Sequence, residues 1–139
     1  MNCKLSLLEI SVLNKLLDGD LSLLIQLRRQ LELCTIKKRE FTSYGFFTTL
    51  AIPEDIPMIP GLNIKFGDVI ADIPGLTYGA GFVLYIKNGI LDMLEGYSYD
   101  EIWPENISSF NLKYMKGETR DWIALKEKLS INTSDGVVE

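Results

Sequence analysis

Apolar side chains recur at three- and four-residue steps through the first part of the chain and at two-residue steps through most of the rest. Leu5, Leu8, Val12, Leu13, Leu16 and Leu17 form one helical stripe. Ser6 followed three residues later by Glu9 reads as a capping box at its start, and Gly19 as its stop. Asp20 is the expected cap of a second helix with Leu21, Leu24, Leu27, Leu31 and Cys34 inward and Arg28, Arg29 and Glu32 outward. The short linker Asp18-Gly19-Asp20 makes these two a helical hairpin. From Thr35 the period changes to two. Residues 35–43 and 46–52 predict a strand pair around Tyr44-Gly45, and the proline-rich 53–63 predicts an extended loop. Short strands are expected at 64–66 and 69–73, a glycine-rich turn at 74–81, and a further strand at 109–115. Thr119 is the expected cap of a last helix running to about Leu129, with Trp122, Leu125 and Leu129 on one side.

The clearest local signal is Asn88-Gly89 between two apolar runs. A type I′ turn needs positive φ at both central residues, and Asn-Gly supplies it at least cost. An unbroken two-residue hairpin pairs Lys87 with Ile90, Ile86 with Leu91, Tyr85 with Asp92, Leu84 with Met93 and Phe82 with Glu95. Its core face then carries Phe82, Leu84, Ile86, Leu91 and Met93, with Glu95 at the end. Strands grouped apart from helices predict an α+β protein: an N-terminal helical hairpin, an antiparallel sheet of about six strands with the Asn-Gly hairpin, and a C-terminal helix. Residues 1–129 are expected to form one domain and 130–139 a loose tail.

Composition removes several classes of chemistry. The 139 residues include no histidine, which eliminates Ser-His and Cys-His nucleophilic systems and every histidine-containing zinc site. Cys3 and Cys34 cannot make a four-cysteine site, and reduced thiols in a cytoplasmic protein are the expectation for them. No apolar run is long enough to span a bilayer, and the first twenty residues lack a cleavage signal. No cofactor or metal is expected, and no enzymatic activity.

The net charge of −5 is unevenly placed. Residues 1–50 hold 7 basic and 5 acidic side chains, whereas 51–115 hold 3 basic and 9 acidic. An acidic middle argues against a protein that tracks nucleic-acid phosphates and is compatible with a basic protein partner.

Residues 95–105 join that charge to aromatic area. Glu95, Tyr97, Tyr99, Asp100, Glu101, Trp103 and Glu105 are the candidate partner-binding residues, because rigid aromatics anchor interfaces and acids orient a basic partner. Trp103 and Tyr97 closing the core, with the acids merely solvated, is the competing reading. Glu95 reads either as a pocket acid or as a rim carboxylate, and Asp92 with Glu95 on opposite faces of the unbroken hairpin is a poor catalytic pair. Gly75 to Gly81 lead into a strand, which fits a turn better than a phosphate cradle. Lys37-Lys38-Arg39 fit a protected sheet edge or an anion-docking cluster. A small-molecule pocket lined by Phe46, Phe47, Tyr78 and Glu95 is the alternative function.

At 41–52, FTSYGFFTTLAI, and 81–104, GFVLYIKNGILDMLEGYSYDEIWP, the chain resembles small uncharacterised bacterial proteins. In size, acidity and lack of catalytic groups it is similar to immunity proteins of bacterial toxin systems. That resemblance implies inhibition of a basic toxin. The class shares no motif, so it assigns no residue.

Overall fold

The computed structural model describes residues 5–131, with the side chains of 130 and 131 left aside. Two helices, α1 (Leu7–Leu16) and α2 (Ser22–Glu32), precede seven strands, and α3 (Trp122–Ile131) follows. The strands are β1 (Thr35–Thr42), β2 (Gly45–Ala51), β3 (Ile64–Phe66), β4 (Val69–Asp72), β5 (Ala80–Lys87), β6 (Ile90–Ser98) and β7 (Asn111–Tyr114). They form one antiparallel sheet in the order β1-β2-β6-β5-β4-β7, with β3 beside β4 along the same side of β5. The sheet has seven strands where about six were expected; the short strands at 64–66 and 69–72 are separate, as the sequence suggested, with Gly67-Asp68 between them and Asp68 meeting Arg120. The fold class is otherwise the expected α+β. The tail predicted from 130 begins inside α3, and its residues beyond 131 lie outside the described ones, as does Cys3.

One face of the sheet and all three helices share a single core. From the sheet it takes Phe46, Leu50, Phe82, Leu84, Leu91 and Leu94, and from the helices Val12, Leu13, Leu24, Leu27 and Leu125. The other sheet face, with Phe47, Thr49, Val83, Tyr85, Met93, Glu95 and Tyr97, stays half-buried.

The capping box is present: Ser6 accepts from the Glu9 amide at 3.1 Å and Glu9 accepts from the Ser6 amide at 2.8 Å. The other two expected caps differ. Leu21, not Asp20, occupies the N-cap of α2, without a side-chain bond. Asp121 rather than Thr119 starts α3, its carboxylate accepting from the Ala124 amide at 3.0 Å. The carbonyl end of α1 is closed by arginines. Arg28, half-buried rather than outward, donates to the carbonyls of Leu17 and Gly19, and Arg120 to those of Leu16 and Asp18. Arg120 also forks onto Asp68, at 2.7 and 3.0 Å, and lies over the rings of Tyr114 and Trp122.

The hairpin turn is type I′ as expected, with φ of 54° at Asn88 and 75° at Gly89. Its register is not the unbroken one. Lys87 pairs with Ile90 and Ile86 with Leu91, but a bulge then shifts the ladder, so that Tyr85 pairs with Met93, Leu84 with Leu94, Val83 with Glu95 and Phe82 with Gly96. Leu94 therefore enters the core, and Met93 and Glu95 move to the half-exposed face. Gln30, wholly buried, holds this corner: it accepts from the Leu91 amide and donates to the carbonyls of Gly89 and Pro57.

Candidate functional site

Three turns meet at one end of the sheet, and backbone bonds tie them together. The β1–β2 turn offers the carbonyls of Ser43 and Tyr44 to the amides of Trp103 and Ser98, each at 2.8 Å. The loop after β5's neighbour β4 offers the amides of Thr77 and Tyr78 to the Glu101 carboxylate, at 2.9 and 3.0 Å. These amides hold the Glu101 carboxyl below its ordinary value. The Ser98 hydroxyl donates to the Glu101 carbonyl, and Asp100 takes a positive φ of 64° beside it. On this scaffold Tyr44, Tyr78, Tyr99 and Ile102 are exposed, with Phe41 next along β1. Asp100 and Glu105 are exposed among them. Segments 41–48, 74–82 and 95–110 contain no lysine or arginine.

The seven residues singled out from the sequence separate into three groups. Tyr97, Tyr99 and Glu95 stand on or beside the half-exposed sheet face. Tyr97 and Tyr99 meet edge-on, 5.6 Å between ring centres. Glu95 accepts from the Tyr85 hydroxyl at 2.8 Å, so it is a rim carboxylate with a partner. Burial first, and then this carboxylate, push the Tyr85 hydroxyl up to about 12. Tyr97 is also pushed up to about 12, by burial and then by Tyr99. Asp100 and Glu105 are open to solvent, whereas Glu101 is engaged with the 77–78 amides. Trp103 belongs to the core side, 7% exposed, edge-on to Phe46 at 5.5 Å. Gly96 makes room for that contact, since a Cβ there would lie 2.3 Å from the Phe46 ring.

Beside this surface a cleft of about 190 Å³ opens between the start of α1, the β1–β2 hairpin and residues 103–107. Among the described residues its walls are mainly apolar, with Leu8, Phe41, Phe46, Trp103 and Ile107, and Glu105 stands with them. Its other charges, Glu9 and Arg39, are locked together, with Arg39 Nε 2.9 Å from the carboxylate and the Thr48 hydroxyl also donating to it. Burial pushes the Glu9 carboxyl up, but Arg39, Thr48 and the Ser6 amide outweigh that and leave it below its ordinary value.

The pocket expected from Phe46, Phe47, Tyr78 and Glu95 does not assemble. Phe46 points into the core, Phe47 and Glu95 lie on the opposite sheet face, and Tyr78 is exposed on its turn. Lys37 falls at a bulge in β1, which is an edge strand, and this fits the edge-protection reading of the basic cluster. Phe41, Tyr44 and Ile102 were not singled out as surface residues. An aromatic at the tip of a turn, as in Ser43-Tyr44-Gly45, is the signal that marks Tyr44. Among the described residues no group of three metal-ligating side chains occurs, and no helix is long and apolar enough to cross a membrane.

The molecule is thus an α+β protein whose helices cover one face of an antiparallel sheet and whose turns gather aromatic and acidic side chains at one end. Scans against family models, curated proteins and solved structures return no match.

Proposed function

We propose that this protein is a non-enzymatic interaction module that binds a basic protein through the turn-bearing end of its sheet. The toxin-directed form of the reading is an immunity or inhibitor protein for a basic bacterial toxin, acting in the cytoplasm. The observation that carries it is that Tyr44, Tyr78, Tyr99 and Ile102, all exposed, sit on turns tied together at one end of the sheet, with exposed Phe41 next along β1 and with Asp100 and Glu105 in segments that hold no basic residue. Exposed apolar area rimmed by one sign of charge is the usual make-up of a docking surface. The turns are pinned to each other by backbone bonds, so little ordering entropy is lost on binding.

The test compares immobilised wild-type protein with Tyr99→Ala and Ile102→Ala variants as bait in extract of the source cell. A basic protein retained in stoichiometric amount by the wild type and lost from both variants is the expected result. A partner retained equally by all three, or the absence of any basic partner, sinks the reading.

A small-molecule-binding domain is the second reading, and the cleft beside Trp103 is what favours it. Its 190 Å³ lies below the roughly 300–1,000 Å³ of ordinary ligand pockets, which ranks this reading second. A ligand at a hundred times its dissociation constant adds about 2.7 kcal/mol to folding stability, so thermal-shift screening detects one readily.

A further inference from the structure

We propose that the cleft between α1, the β1–β2 hairpin and residues 103–107 receives one aromatic or branched aliphatic side chain of a partner polypeptide, with a neighbouring Lys or Arg of that segment against Glu105. This inference rests on the reading of the sheet end as a protein-binding surface and specifies the segment it takes.

Size is the first argument. An apolar cavity of about 150 Å³ suffices for benzene. At about 190 Å³ the cleft holds one ring or branched chain and little else. The chemistry of the walls is the second. Leu8, Phe46, Trp103 and Ile107 offer apolar and ring surface, and the Glu9–Arg39 pair is already mutually satisfied. An apolar occupant therefore leaves no buried charge unmet, whereas a charged one would have to break that pair. Continuity is the third. Phe41 is both a wall of the cleft and the near border of the exposed patch, so a chain lying across Tyr44 and Ile102 passes the cleft mouth. Interfaces concentrate their energy in such anchors, one side chain seated in a preformed pocket within a flatter contact. Charge selects the flank. Glu105 is exposed beside the cleft, Arg39 in the lining is already held by Glu9, and segments 41–48, 74–82 and 95–110 carry no lysine or arginine.

The test is an NMR titration of the whole protein with four probes: acetyl-Lys-Phe-Lys-amide, acetyl-Lys-Ala-Lys-amide, acetyl-Glu-Phe-Glu-amide and toluene. The Lys-Phe-Lys peptide should shift the Trp103 indole and the Leu8 and Ile107 methyls saturably. The Ala peptide should bind at least about tenfold more weakly, the worth of one buried aromatic side chain. The Glu peptide should also bind more weakly than Lys-Phe-Lys. Toluene should reach the same cleft signals. Glu105→Gln, at an exposed position, should weaken the Lys-Phe-Lys peptide about two- to fivefold, as an exposed ion pair does, and leave toluene unchanged. Phe41→Ala, also at an exposed position, should weaken every phenyl-bearing probe. Equal binding of the Phe and Ala peptides overturns the inference. So does saturation at Tyr44, Tyr99 and Asp100 with no response in the cleft, although that outcome leaves the surface reading standing. A Lys-Phe-Lys peptide that moves neither set overturns both.

Discussion

Glu9 interrupts the apolar stripe of α1 and is nevertheless only 2% exposed. A buried carboxylate is tolerable only when fully partnered, and here Arg39, Thr48 and the Ser6 amide all donate to it. Glu9→Ala removes the carboxylate to which the half-buried Arg39 guanidinium and the buried Thr48 hydroxyl donate. It should destabilise toward the lower end of about 3–5 kcal/mol, read from urea denaturation. The pH dependence has a definite sign. The Glu9 folded-state pKa lies below the ordinary 4.5, so its stabilisation is full above that value and is lost as pH falls through the folded one. The urea midpoint of the wild type should therefore drop more steeply with acidification below pH 4.5 than that of Glu9→Gln. Trp103 invites a different check. Buried against Phe46, it should cost about 3–5 kcal/mol as Trp103→Ala, whereas Asp100→Asn should leave the melting curve in place. Equal melting of the Trp103 variant and the wild type would return that residue to the surface. The sequence displayed Glu9 and Arg39 thirty positions apart, and only a folded sheet brings them together; nothing local marks such a pair.

At the scale of elements, the hairpin divides what could be read from what could not. The turn was legible because Asn-Gly has a local reason to exist. The bulge was half-legible: an unbroken register buries Glu95 and exposes Leu94, a conflict that one extra residue near Asp92 resolves. What fixes the bulge, Gln30, lies 61 positions away from Leu91 and was invisible. Gln30→Leu strands the Leu91 amide and deprives the Gly89 and Pro57 carbonyls, so it should cost at least about 1–3 kcal/mol. Hydrogen exchange should show the Leu91 amide opening first. Gly89→Val should cost more than about 1 kcal/mol from φ alone. The turn is also packed, with Ile59 backbone atoms 2.0–2.6 Å from where a Cβ would sit, so the loss should exceed that figure. Strand boundaries followed from period two, whereas the helix starts fell one and two residues past the polar caps expected at Asp20 and Thr119, at Leu21 and Asp121.

Across the whole molecule, one sheet face is spent on the core and the turns are left to meet the outside. Charge and packing then act on different rates. Asp100→Asn with Glu105→Gln should slow association with a basic partner, an effect that fades as salt rises, because exposed charges act by steering. Tyr99→Ala and Ile102→Ala should instead speed dissociation. Surface plasmon resonance at two salt concentrations separates the two. A dissociation-only effect of the acidic changes would contradict the steering account. The acidic middle of the chain was plain from its residue counts. That its turn is tied by backbone bonds to the Ser43-Tyr44 turn was not, since the two lie more than fifty positions apart in sequence.

Arg120 reaches back to carbonyls of Leu16 and Asp18, and Tyr114 to that of Lys15, across sequence separations of 104, 102 and 99. In the order of synthesis the first helix emerges long before the side chains that close its end. At about 5–20 residues per second, that interval is on the order of 5–20 s. Such long-range closure belongs to slow-folding topologies, since the loop must be drawn together before any contact rewards it. Through that interval a nascent chain would carry the carbonyl end of α1 unclosed, whereas its leucine stripe waits only for the strands it packs on, β4 and β5, and is a target for chaperones until they arrive.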